Sequence, residues 1–283
     1  MGHPVREWLD DAWARTRLVQ VIVGGEGDGP LAGRDVLGWV ESPDELAQLR
    51  SLTTEGGFTG DICRCLGSLT LSLHDADGEP VGSGTIHSTD VAWERARFRD
   101  NLTVADPVGL TLFLAGRGAP GLLLNLVPRL SYAMGLREGV HQTRQAGHGR
   151  YGSGELVRRQ APVSLRPTLA KVSGRDAGQL PEAQVGAFRE QLAADYPDPA
   201  DRAAALLTWL GSLPHPMEAE FGEGVLVLRL LEGLDPVGCA TALPQPLDDR
   251  VVLGLLRWAW EQPVDLDLDL VDLVEPTVRA LLG

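Results

Sequence analysis

Lysine is almost absent from this 283-residue chain: Lys171 is the only one, and arginine supplies the other positive side chains. Acidic residues outnumber basic ones by 39 to 25, which leaves a net charge of −14. General nucleic-acid binding needs a basic surface that displaces counterions from phosphates. The charge balance therefore argues against nucleic acid as a partner and favours a protein partner, one with a basic surface.

Long hydrophobic runs are also missing. No stretch of 18 apolar residues occurs, and the N-terminus lacks the charged and then apolar pattern of a secretory signal. Three cysteines do not make a disulfide framework, and aromatic residues are only 5% of the chain. With a hydrophobic content of 43%, we expect a cytoplasmic globular protein of two domains that does not bind membranes.

The clearest periodicity begins at Leu69. Leucines at alternate positions from Leu69 to Leu73 are separated by small polar residues, a period of two that is typical of a half-buried strand. Asp77-Gly78 tolerates a positive φ angle and predicts a hairpin turn, so Val81 to Ser88 is the return strand. The stretch predicts an antiparallel β-meander with one face open to water.

Helix-start signals surround this meander and recur through the second half of the chain. In each of them a capping side chain precedes a proline in the first helical turn. They are Ser42-Pro43, Asp106-Pro107, Asp198-Pro199 and Asp235-Pro236. We predict the α+β class: an antiparallel β-meander with flanking helices, followed by an all-α, loosely HEAT-like helical domain.

A basic stretch, residues 137–171, separates the two halves. Its net charge is +5, which leaves −19 for the rest of the chain. Such a stretch is typical of a linker, or of an arm that docks on an acidic partner or on the chain's own acidic surface. The predicted domains are therefore an α+β domain at 1–136, a basic linker or arm at 137–171 and a helical domain at 172–283.

A glycine-rich loop, Gly24 to Pro30, follows a predicted strand at Leu18 to Val23. Glycines after a strand can bind phosphate when a helix N-terminus and a lysine or hydroxyl stand close by. This loop carries two acids and a proline and has no lysine. It therefore predicts a surface loop without phosphate chemistry.

Candidate metal ligands precede and follow the first hairpin strand. Cys63 and Cys65 are two residues apart, so on a strand they would project from one face. His87 on the return strand would face them, and His74 lies at the turn. Thiolates and imidazole are zinc-type ligands, although Cys-x-Cys is not the Cys-x-x-Cys knuckle and no second pair exists. The alternative, which we favour, is that both cysteines are small hydrophobic residues in the β core.

Two segments carry a resemblance to a known family. Cys63-Arg64-Cys65-Leu66-Gly67, with the leucine-alternating strand, the Asp-Gly turn and His87 before Trp93, resembles a widespread family of uncharacterised bacterial proteins. Its members carry a Cys-x-Cys-Leu-Gly strand, a His-His pair on the return strand and a nearby tryptophan. Tyr196-Pro197-Asp198-Pro199, with Ala204 to Gly211, is similar to the family's helical half. The chain departs from the family at Ser88, where the second histidine would stand, and the resemblance implies no established activity.

No serine, histidine or carboxylate stands in a recognised nucleophile context, so no catalytic residue is assigned. The first hypothesis is a non-catalytic protein–protein interaction or scaffold protein with an acidic surface and no cofactor. The second is a small metalloprotein or metal-dependent enzyme in which Cys63, Cys65 and His87 bind zinc. His74 is then the nearest candidate in sequence for a fourth ligand.

Overall fold

The computed structural model describes residues 3–25, 28–136, 160–169, 177–215, 222–261 and 268–283. The chain divides into two compact units, Met1–Leu122 and Leu123–Gly283. The first is α+β and the second is largely helical, which confirms the predicted fold class. Residues 123–136, which the sequence groups with the first domain, belong to the second unit. Of the predicted linker or arm at 137–171, only 160–169 lies among the described residues, so its role stays a prediction.

Unit 1 is built on a seven-stranded antiparallel sheet with the strand order β2-β1-β4-β5-β6-β7-β3. Its strands are β1 Leu18–Val23, β2 Val36–Val40, β3 Gly56–Phe58, β4 Leu69–His74, β5 Pro80–His87, β6 Asp90–Trp93 and β7 Leu102–Val104. Its helices are α1 Pro4–Arg15, α2 Pro43–Thr54, α3 Arg95–Phe98 and α4 Pro107–Ala115. Strands β4 and β5 therefore lie at the centre of the sheet, between β1 and β6.

The predicted hairpin is confirmed as the β4–β5 pair. Leu69 pairs with Ile86 at its open end. At the turn, the Asp75 carboxylate accepts hydrogen bonds from the backbone N–H groups of Asp77 and Glu79, each at 3.0 Å. Gly78 adopts φ +82°, a left-handed conformation that glycine reaches at little cost. The turn chemistry thus follows directly from the local sequence.

Glycines in β5 make room for tryptophans in the core. A Cβ atom on Gly84 would lie 2.7 Å from the Trp93 ring, and one on Gly82 would lie 2.6 Å from the Trp8 ring. Both glycines lie on the face whose leucines and valines pack against α1. The register of the β4–β5 pair shifts beside Gly82, between the pairs Leu73–Gly82 and His74–Pro80. In this interior strand, the missing side chains of both glycines accommodate indole rings.

Gly84→Ala is expected to destabilise unit 1 by about 1–3 kcal/mol, because overpacking a filled core forces rings off their preferred positions. Faster amide hydrogen exchange in peptides from β4 and β5 of the full-length variant would measure this. Gly57→Ala is the matched control, since no heavy atom lies within 4 Å of the added methyl group. Equal exchange rates in the two variants would show that the contact with Trp93 is unimportant.

The described residues of unit 2 form eight α-helices. They are α5 Val127–Ala133, α6 Arg166–Leu169, α7 Glu182–Asp195, α8 Pro199–Leu210, α9 Glu223–Leu231, α10 Pro236–Thr241, α11 Asp249–Trp260 and α12 Asp269–Leu282. Helices α8 and α11 approach closely, because a Cβ on Gly254 would meet the Leu207 carbonyl oxygen at 2.1 Å. Buried Arg257 donates to the carbonyls of Leu210 and Leu213 and so satisfies the C-terminal end of α8.

The predicted helix starts are confirmed in both units. In each of the four, the capping side chain accepts a hydrogen bond from a backbone N–H of the first turn. The capping residues are Ser42, Asp106, Asp198 and Asp235. Among the described residues, no helix combines the length and the apolar composition that a bilayer crossing requires.

Candidate metal centre

Cys63 and Cys65 lie in the loop between β3 and β4, which we call the cysteine loop (residues 59–68). The prediction that they lie on a strand is wrong. Gly60 and Gly67 adopt φ +73° and +81°, which interrupts the extended conformation on either side of the cysteines. Only from Leu69 onwards does the chain join the sheet, so the period of two starts after the cysteines.

The cysteines are also not core residues. Cys63 is half-buried and Cys65 is exposed, so the favoured prediction that both are buried among the leucines of the sheet is wrong. The core positions of the hairpin are filled instead by residues such as Leu69, Leu71 and Ile86, each at most 5% exposed. The two thiols are therefore accessible for chemistry.

Arg95 holds the cysteine loop in place. Its Nη1 donates to the carbonyl of Cys65 at 2.7 Å, and its Nη2 donates to the carbonyl of Cys63 at 2.6 Å. One planar guanidinium thus binds both cysteine backbones, a fixed two-point geometry that the single-point ammonium of lysine does not reproduce. Arg95 begins the short helix α3, so the register of this helix sets the position of the loop.

Gly67 lets the loop lie directly on the sheet. A Cβ atom at this position would lie 2.3 Å from Cγ2 of Thr85 and 3.2 Å from Cε1 of His87. The neighbouring Ser68 N–H donates to the carbonyl of Ile86 at 3.0 Å. Close backbone approach therefore brings Cys65 to the end of β5, where His87 stands.

Three of the four predicted ligand residues come together. The Sγ atoms of Cys63 and Cys65 are 2.7 Å apart, and Sγ of Cys65 is 3.0 Å from Nδ1 of His87. All three ligand atoms lie within 4.8 Å of one another. His87 is only 6% exposed, so its ring is fixed by the surrounding structure.

His74 is not part of this group. Its Nε2 lies 3.0 Å from the Ser72 hydroxyl, and its Nδ1 lies 3.1 Å from the Gly78 carbonyl oxygen, so the ring serves the hairpin turn. His74 ends β4, whereas His87 ends β5, one residue beyond Ile86, which pairs with Leu69 at the beginning of β4. Five residues of extended chain separate the two ends by roughly 17 Å. His74, the nearest candidate in sequence for a fourth ligand, is therefore not brought to the other three residues.

The two thiols differ in acidity. A hydrogen bond from the Cys65 side chain lowers the pKa of Cys63, and the positive charge of Arg95 acts in the same direction. Donating that hydrogen bond raises the pKa of Cys65. Burial raises the pKa of Cys239 in unit 2. Cys63 is therefore the thiol that ionises first as pH rises.

Alkylation of metal-free protein by iodoacetamide should show this order, because the thiolate is the reactive form. The rate at Cys63 is expected to rise at lower pH than the rate at Cys239, and Cys65→Ala should move the Cys63 midpoint upward. Peptide mass spectrometry after timed quenching measures each cysteine separately. Identical pH midpoints for Cys63 and Cys239 would contradict the assignment.

Comparison with protein-family models, with curated proteins and with solved structures finds no match to this chain. The resemblance to an uncharacterised bacterial family therefore stays a proposal. Function has to be inferred from the chemistry that the residues themselves bring together.

The sequence did not reveal Arg95 or Gly67 as parts of this site. Arg95 lies 30 residues beyond Cys65, and no local pattern links the two. For Gly67 a signal existed, since a glycine immediately before a strand often marks a close backbone approach. The identity of the approaching residues, Thr85 and His87, depends on the strand register.

Proposed function

We propose that unit 1 carries a binding site for a thiophilic divalent metal ion such as zinc, with Cys63, Cys65 and His87 as its ligands. The observation that carries the proposal is the convergence of two sulfurs and one ring nitrogen within 4.8 Å. Two cysteines and one histidine form a donor set that zinc prefers. Three protein ligands leave one position of a tetrahedral site for a water molecule or a substrate.

The residues fit a metal ion after a small movement. A tetrahedral zinc ion with Zn–S bonds of about 2.3 Å holds two sulfurs about 3.8 Å apart. The observed separation of 2.7 Å is shorter than this, so the sulfurs must move apart by about 1 Å when a metal ion binds. Cys65 is exposed and lies in a loop, where such a shift disturbs little packing.

The surroundings of the site favour deprotonation of Cys63. The hydrogen bond with Cys65 and, to a smaller extent, the charge of Arg95 lower the pKa of Cys63, while Asp90 acts in the opposite direction. Asp90 pairs with His87 across β5 and β6, on the same face of the sheet. The two opposite charges keep the surroundings near neutrality, so a divalent cation with two thiolates adds no uncompensated charge.

Isothermal titration calorimetry of chelator-treated full-length protein with zinc tests this proposal. We expect one tight site and proton release, because metal binding displaces the thiol protons. Repeating the titration in buffers of different ionisation enthalpy measures that release. Weak binding at several sites without proton release, as an acidic surface alone would give, would overturn the proposal.

A second candidate function is interaction with a basic protein. The observation that favours it is a shallow groove formed by Trp39, Glu41, Ser42 and Glu45, with the Trp39 side chain 50% exposed. An exposed indole beside carboxylates can bind arginine or lysine side chains. A pull-down with the full-length protein, carried out at low and at high salt concentration, tests this candidate. Salt screens exposed charges, so an electrostatic partner should bind more weakly at high salt, and a partner whose binding does not weaken would contradict this candidate function.

A further inference from the structure

The second face of the sheet in unit 1 is polar but largely buried. Thr70 pairs with Thr85, and Ser72 pairs with Ser83, so four hydroxyl side chains project from one face of β4 and β5. Thr70 and Ser72 are each 3% exposed, and Thr85 is 7% exposed. The prediction that this face is open to water is therefore wrong at its centre. Burying hydroxyl groups costs free energy unless they find partners, so this face needs an explanation.

Two loops cover the polar face. A Cβ on Gly25 would meet the Leu66 carbonyl oxygen at 1.7 Å, so the glycine-rich loop packs directly against the cysteine loop. The Thr70 hydroxyl donates to the carbonyl of Gly24 at 2.8 Å. Gly25 and Gly29 of the glycine-rich loop line a cavity at this face, a role beyond that of a plain surface loop.

A cavity of about 260 Å³ lies between these loops, the sheet and the start of α3. Its polar lining consists of three hydroxyls, two guanidinium groups and one carboxylate. The residues are Thr70, Ser83, Thr85, Arg34, Arg95 and Glu94. The volume is slightly below the range of about 300–1,000 Å³ that is usual for drug-sized ligands, so the cavity suits a smaller molecule.

Some of these polar groups form hydrogen bonds within the protein, and others can form hydrogen bonds to a ligand in the cavity. Glu94 accepts hydrogen bonds from the backbone N–H and the hydroxyl of Ser83. Among the described residues, the Thr85 hydroxyl makes no hydrogen bond within the protein, and Thr85 lines the cavity. Arg34 directs Nε and Nη2 to the Gly29 carbonyl, and its Nη1 reaches Thr70 Oγ1 only at 3.5 Å, the limit of a hydrogen bond.

The charge of the cavity is opposite to that of the chain. Arg34 and Arg95 outweigh Glu94, within a protein of net charge −14. Guanidinium groups bind carboxylates and phosphates through charge-assisted hydrogen bonds. Hydroxyl donors such as that of Thr85 complete the environment that an oxyanion requires.

We propose that this cavity binds a small molecule through an oxyanion, a carboxylate or a phosphate, with Arg34 as its charged anchor and the Thr85 hydroxyl as a donor. Arg95 lines the cavity and also binds the backbone of both cysteines, so the ligand lies beside the Cys63/Cys65/His87 group. The binding site stands on its own geometry and does not depend on a bound metal ion.

Calorimetric or NMR titration of the chelator-treated full-length protein with inorganic phosphate and with succinate tests this inference. We expect saturable binding of at least one probe, and the better probe identifies the oxyanion class. Arg34→Gln is expected to weaken that binding about tenfold or more, as loss of a charge-assisted hydrogen bond predicts. Thr85→Val, which keeps the side-chain shape, should weaken it several-fold.

Arg50→Gln is the matched control, because Arg50 lies on α2, outside the cavity, and pairs with Asp10. It removes the same charge and should leave probe affinity unchanged. Binding of neither probe by the unaltered protein, or equal weakening by Arg34→Gln and Arg50→Gln, would overturn the inference. Cys63→Ser separates the two proposals, since it should lose zinc binding and keep binding of the probe.

Discussion

Replacement of Cys63 by serine is expected to lower the zinc affinity of the full-length protein by more than about 100-fold. Changes to residues that merely orient metal ligands already cost 10–100-fold, and Cys63 is proposed as a ligand itself. Its pKa is lowered by the hydrogen bond from Cys65, so it supplies the thiolate most readily. Competition with a chromophoric chelator measures the affinity.

Cys239→Ser is the control for this experiment. Cys239 lies on α10 in unit 2, and it is the third and last cysteine of the chain. Its replacement removes a thiol without touching the cysteine loop, so the zinc affinity should not change. Equal losses in both variants, or no loss in Cys63→Ser, would rule out Cys63 as a ligand.

Replacement of Trp93 by alanine is expected to destabilise unit 1 by about 3–5 kcal/mol, the usual cost of truncating a buried large aromatic residue. Trp93 is 1% exposed, and its ring lies 6.1 Å from the rings of both Trp8 and Trp13. Its indole N–H also donates to the carbonyl of Thr53 at 3.0 Å, so truncation leaves a buried acceptor without its donor.

Amide hydrogen exchange in the full-length protein measures this effect separately from unit 2. Peptides from β4, β5 and β6 should lose protection in Trp93→Ala. Trp39→Ala is the matched control, because Trp39 lies on the edge strand β2 and is 50% exposed. If both variants exchange alike, the tryptophan cluster does not hold the sheet together.

Local features of the fold could be predicted because neighbouring residues determine them. The β4–β5 hairpin follows from alternating leucines and the Asp77-Gly78 turn. The helix starts at Ser42 and Asp106 follow from a capping side chain with proline beside it. In each case the hydrogen bonds that stabilise the element join residues within a few positions of one another.

The position of the cysteines could not be predicted in this way. The alternation that begins at Leu69 invites extension back to Cys63, but Gly67 at φ +81° ends the strand geometry. The loop is then fixed by Arg95, a residue distant in sequence whose contact exists only in the folded chain. The hairpin register places His87 beside the end of the cysteine loop, but neither the loop conformation that brings Cys65 to His87 nor the exposure of Cys65 follows from it.

The burial of the polar face of the sheet could not be predicted from the sequence either. Alternation predicts that Thr70 and Thr85 share the face opposite the leucine core, but it is silent on what lies above them. Two loops from other parts of unit 1 cover that face and leave a cavity between them. The same alternation is compatible with a solvated surface, so only the tertiary structure distinguishes the two.

X-ray absorption at the zinc edge of the zinc-loaded, full-length protein tests the central proposal most directly, because it counts and identifies the atoms bound to the metal ion. The proposal predicts two sulfurs at about 2.3 Å and a histidine nitrogen at about 2.0–2.1 Å. A shell of oxygen and nitrogen atoms without sulfur, or an unchanged two-sulfur shell in Cys63→Ser, would contradict it.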